Sequence, residues 1–120
     1  MWILKGEISN TAGNLCLHLI GNLNHFIGTT LGNTGYVRDR DSEFALKNIP
    51  REKLIVELEN TIEVVLSTIN KIPDADLEKK YPLEKHGKEV TIENMLIHLL
   101  GHFNYHLGQI NYHRRLITSL

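Results

Sequence analysis

Residues 91–117 read TIENMLIHLLGHFNYHLGQINYHRRLI, and the placing of apolar side chains in this stretch decides the fold. Ile92, Met95, Leu96, Leu99, Phe103, Leu107 and Ile110 recur at the three- and four-residue spacing of one helix face, and Thr91 stands where an N-cap belongs. The pattern predicts a helix over about 92–117. Working back along the chain, Leu54, Ile55, Leu58, Ile62, Val65, Leu66 and Ile69 repeat the same spacing between Pro50 and Ile72-Pro73, which predicts a helix over about 50–71. The segment NTAGNLCLHLIGNLNHFIGTTLG (10–32) follows the cap-type residues Ser9, Asn10 and Thr11 and stops at Gly32-Asn33, predicting a helix over about 12–31. Its stripe of Leu15, Leu19, Leu23, Phe26 and Ile27 is widened by Cys16, Ile20 and Leu31, so this helix should be well buried. At 1.5 Å per residue each helix is about 30 Å or more long. Three such helices imply an all-α, up-down bundle with antiparallel packing.

The chain of 120 residues is the size of one domain, taken as 1–120. Thirteen Lys and Arg balance fourteen Asp and Glu, and there is no basic recognition helix, so neither nucleic acid nor an anionic membrane is an expected partner. No stretch approaches the roughly 18 apolar residues of a membrane span, and MWILKGEISN (1–10) has too short an apolar run for a signal peptide. The expected compartment is the cytoplasm. A lone Cys16 excludes an internal disulfide and reads as a small buried apolar residue. Two connections separate the helices. GNTGYVRDRDSEFALKNI (32–49) is long for a compact domain, and reads either as a functional loop or as a salt-bridged surface loop. DADLEKKYPLEKHGKE (74–89) is polar, and its His86 is expected to be solvated.

Histidine is the compositional departure: there are seven, and six fall in two clusters. His98, His102 and His106 are spaced i, i+4, i+8, continued by Gln109 and His113; His18, Asn22 and His25 share a face of the first helix. Neighbours at i and i+4 lie about 5–6 Å apart at Cβ, close enough for two imidazoles to share one metal ion. Two His-bearing faces can therefore meet inside one bundle. The intervening residues are HFNYH rather than HExxH, so the glutamate base of a zinc peptidase is missing. Three neutral imidazoles would leave a coordination position open, as catalytic zinc sites do. No acidic pair, serine nucleophile or phosphate-cradling loop offers another chemistry. A non-catalytic module, in which the histidines are hydrogen-bonded core groups or hold a structural metal, stands as the alternative.

HLIGNLNHFIG (18–28) together with HFNYHLGQI (102–110) resembles the DinB/YfiT-like family, four-helix-bundle proteins with a three-histidine metal site, and GYVRDRDSEF (35–44) looks like an uncharacterised branch of it. The resemblance implies His18, His102 and His106 as ligands and zinc or nickel as the ion. It implies a metal-dependent enzyme of the hydrolase or thiol S-transferase type, acting on a small molecule with water or a small thiol. Asn22, His25, His98, Gln109 and His113 are pocket candidates, and Tyr36, Arg38 and Arg40 are candidates for binding an anionic substrate. The family pattern also has a long helix before the region matched by Trp2 to Ser9. Without it the three helices are expected to leave a groove exposed, which would favour a homodimer.

Overall fold

The structure, a computed structural model, describes residues 2–3 and 11–118; the predicted cap-type residues Ser9 and Asn10 lie outside them. The first long helix begins as α1 (Ala12–Leu23), widens into a π-helical stretch (Asn24–Thr29) and closes with a last turn, α2 (Thr30–Gly32). Thr11 caps it: its hydroxyl oxygen accepts the Asn14 amide at 3.1 Å, and its hydroxyl donates to the Asn14 side chain at 2.6 Å. Asn33, at φ 56°, ends it in the left-handed conformation that stops helices. The predicted second and third long helices are present as α4 (Arg51–Asn70) and α5 (Ile92–Thr118), and Thr91 caps α5 by accepting the Asn94 amide at 3.1 Å.

The expected long loop holds one more helix, α3 (Arg40–Ala45), opened by Asp39, whose carboxylate accepts the Ser42 amide and hydroxyl. The five residues between the Asp39 cap and Ala45 are too few to show a helical periodicity. Asn14, at the start of α1, ties this segment down by donating to the carbonyls of Glu43 and Leu46 at 3.0 and 2.8 Å.

The long connection lets two helices run the same way. Asn24 bonds Thr61, Gly28 abuts Val64 and Gly32 abuts Thr68, so residue numbers on the first helix and α4 rise together. A Cβ at Gly32 would stand 2.6 Å from the Thr68 hydroxyl, so glycine is what permits this approach. α5 runs opposite to both, with Met95 and Leu99 against Ile27 and His102 against His18. Antiparallel packing thus holds for the third helix against the first two.

The core is a cluster of Ile27, Met95, Leu99 and the fully buried Tyr81, whose hydroxyl donates to the Phe26 carbonyl at 2.5 Å inside the π-helical stretch. It sits at one end of the α1–α5 interface. α4 buries Leu54, Thr61 and Thr68 and packs Val65 on that cluster, while Ile55, Ile62, Leu66 and Ile69 of its predicted apolar stripe stay exposed. Ile62 and Leu66 are each 57% exposed, and with Ile97 and Leu100 of α5 they wall an apolar groove of about 510 Å³ floored by Leu23 and Ile27. The predicted α5 stripe is likewise buried at Met95 and Leu99 but exposed at Leu107. Cys16 is half-buried rather than enclosed, and His86 is exposed as expected. No helix among the described residues is long and apolar enough to cross a membrane.

Candidate metal centre

The other end of the α1–α5 interface is polar. His18 is buried on α1, and its Nε2 lies 3.3 Å from the Nε2 of His102. His106, one turn further along α5, places its own Nε2 3.0 Å from that same atom. The three rings stand edge to face, 4.4 to 5.2 Å between centroids. His18, His102 and His106 form the group that could hold a metal ion among the described residues, with one ligand atom from each lying within 4.8 Å of the others.

Hydrogen bonds on the far side of two rings fix what the near side offers. His18 Nδ1 lies 3.0 Å from Glu43 Oε1, and a carboxylate can only accept, so the Nδ1 proton points outward and Nε2 keeps its lone pair. His106 Nδ1 is held in the same sense by Gln109 Oε1 at 2.6 Å. Arg38 donates to the Glu43 carboxylate, Nε to Oε2 at 2.8 Å and Nη2 to Oε1 at 2.9 Å; Nη2 also approaches His18 Nδ1 at 3.2 Å, a nitrogen that accepts nothing while it carries its proton. A buried carboxylate needs such a partner, and the fork geometry of arginine supplies it twice.

Glu43 reaches His18 because α1 has no side chain in the way. A Cβ on Gly21 would fall 1.8 Å from Glu43 Oε2, so the carboxylate lies directly on the helix backbone. Phe44, next on α3, sets its ring 5.1 Å from that of His18, and Tyr105 sets its ring 5.3 Å from that of His106.

Protonation is disfavoured here. Burial, then the neighbouring His106 and His18, bring His102 from an ordinary value of 6.5 to about 4. His18 is also lowered, chiefly by burial, against an opposing pull from Glu43. His18 and His102 are therefore neutral at pH 7, the state in which imidazole binds metals.

The remaining predicted residues divide. Asn22 is buried beside this cluster on α1, one turn from His18, and its Oδ1 has no hydrogen-bond partner; neither has His102 Nδ1. Gln109 holds His106, as above. His98 is exposed at the cluster's edge, 6.5 Å from the His102 ring, and His25 lies in the π-helical stretch with its ring against Phe26. Arg38 is paired with Glu43. Arg40 is exposed and stacks over Phe44 at 6.0 Å, and Tyr36 and Glu43 line a cavity of about 310 Å³ that does not include the three histidines. His113 is almost fully buried, with no partner for either nitrogen.

Glu43, Gly21 and Phe44 escaped the sequence reading. Neither His-bearing helix face carries an acid; the acid arrives from α3. In RDRDSEF (38–44) one acidic residue looks like the next, and only the Asp39 cap with Ser42 could have signalled a helix that buries its Glu43.

A family model described as protein of unknown function (DUF1572) matches residues 1–119, and the chain belongs to that family. No curated protein and no solved structure matches it.

Proposed function

We propose that this DUF1572 protein is a divalent-metal-dependent enzyme of the DinB/YfiT-like type, in which His18, His102 and His106 hold one zinc or nickel ion that activates water or a small thiol. The observation that carries the reading is the convergence of three Nε2 atoms, two of them with the Nδ1 proton already committed elsewhere. One proton on His102 Nε2 can satisfy only one of the two facing lone pairs. A cation would satisfy all three, and three neutral ligands leave a position open.

A divalent ion held there would polarise a carbonyl and bring the pKa of a water or small thiol at its open position towards neutrality. The chain's own residues do the rest. Glu43 keeps the His18 ring in register, and Arg38 offsets the charge of Glu43, so the site gains no net negative charge from it. Three neutral imidazoles do not offset the ion's charge, which favours an anionic partner such as a thiolate. Phe44 and Tyr105 supply aromatic walls beside His18 and His106, while the exposed Gln109 marks the side open to solvent.

The test is turnover of a panel of small electrophiles by zinc- and nickel-loaded protein, with and without a small thiol, beside the His102→Ala/His106→Ala variant. Metal-dependent turnover lost in the variant supports the enzyme reading. Stoichiometric metal without turnover in any arm would favour the non-catalytic module. The homodimer expected from the sequence would have the α4–α5 groove to bury; light scattering at micromolar concentration reads it as twice the 13.7 kDa chain mass, against a monomer.

A further inference from the structure

Each imidazole of the cluster has a second ring nitrogen, and two of the three have an acceptor for it: Glu43 for His18 and Gln109 for His106. His102 Nδ1 is buried without one. One side-chain acceptor on the facing helix is buried and unused as well, the Oδ1 of Asn22. The register of the two helices brings their residues to the same level of the interface. α1 and α5 are antiparallel here, with His18 facing both His102 and His106. One turn from His18 towards the core cluster stands Asn22; one turn from His106 in the same direction stands His102.

We propose that Asn22 is the positioning residue for His102, its side-chain oxygen accepting the His102 Nδ1–H once a divalent cation takes the Nε2. The inference rests on the metal reading above, and it accounts for both unused atoms. Without a cation, the His102 Nε2 lies between two lone-pair-bearing Nε2 atoms, at 3.0 and 3.3 Å. The proton is best placed on Nε2, donating to one of them. Nδ1 is then an acceptor, as is the Asn22 Oδ1, and neither can bond the other. When a cation takes the Nε2 lone pair, the proton leaves Nε2 and one is taken up at Nδ1. The proton count of the ring is unchanged, and a donor now faces Oδ1. Asn22 thereby completes a set in which every ligand imidazole is oriented from behind.

The experiment uses the full chain with histidine ring nitrogens labelled with ¹⁵N, titrated with zinc, as wild type, Asn22→Leu and Asn22→Asp. In the wild type the His102 proton is expected on Nε2 without zinc and on Nδ1 with it, the latter exchanging slowly with water. Asn22→Leu, which has similar bulk and no acceptor, is expected to bind zinc about 10–100-fold more weakly, and Asn22→Asp to recover most of that loss. A chelator competition assay reads the affinities, and circular dichroism reports folding. If the leucine variant does not fold, the wild-type spectra decide alone. Zinc bound equally by Asn22→Leu, or a His102 that binds through Nδ1 or shows no slowly exchanging Nδ1 proton, overturns the role of Asn22 and leaves the metal reading standing. A wild type that takes up no zinc overturns both.

Discussion

The two ends of the α1–α5 interface are built from the same helices and differ in kind. At one end Ile27, Met95, Leu99 and Tyr81 make an apolar cluster with one internal hydrogen bond, from Tyr81 to the Phe26 carbonyl. At the other, three imidazoles point their Nε2 atoms at each other and a buried carboxylate is brought in to hold one of them. The apolar end shows that these helices can pack without histidine. The polar end has costs the apolar end avoids: desolvated rings, an ion pair taken out of water and two unpaired buried atoms beside them. Such costs are what a binding site carries and a structural interface sheds.

That contrast can be broken from either side. The largest effect is expected at the apolar end. Met95→Ala, at a residue 5% exposed, should cost about 2–5 kcal/mol in denaturant unfolding while leaving zinc stoichiometry of the folded protein at the wild-type level. Loss of stoichiometry in protein that is still folded would mean the two ends are one unit.

Gly21→Ala acts at the polar end alone. Its new Cβ must push Glu43 off the helix, so it should lower stability by about 1–3 kcal/mol and weaken zinc binding as well. Chelator competition alongside thermal melting measures both, and unchanged zinc affinity would detach Glu43 from the site. Glu43→Gln keeps the shape but leaves Arg38 without its charge partner. About a 10–100-fold loss of zinc affinity is expected, and restoration by added salt alone would point to a purely electrostatic role.

The gentlest probe is acid. The folded protein keeps His102 neutral down to about pH 4 and also lowers His18, whereas the unfolded chain takes up those protons near 6.5. Stability from this source is complete above pH 6.5 and is lost as pH falls from 6.5 towards 4. Denaturant melts across that window should show the decline in wild type and a shallower one in His102→Ala. Equal slopes would remove His102 as its cause.

The long helices are legible in the sequence because each carries its own period, and two of them open at a capping threonine, Thr11 and Thr91. Their ends were legible too, at Asn33 and before Pro73. Direction was not: whether α4 runs with or against α1 depends on where residues 33–50 go, and that path is set by the bonds of Asn14 to Glu43 and Leu46, which have no local signature. The histidines of one helix could be grouped by spacing, but which of His18 and His25 faces α5 depends on the bundle. Widening of the helix from Asn24 onward alters the register of His25 relative to His18. The apolar stripe of α4 is legible as a stripe, but that Leu54 is buried while Ile62 and Leu66 are exposed is not, because periodicity shows that a face is apolar and says nothing about what lies against it.

Whether the three histidines hold a metal ion is read from metal content per chain, by elemental analysis of protein purified without a histidine tag. About one zinc or nickel is expected per wild-type chain and none in His102→Ala/His106→Ala. No metal in either, even after incubation with both ions, would overturn the metal centre and leave the polar end of the interface as a structural feature.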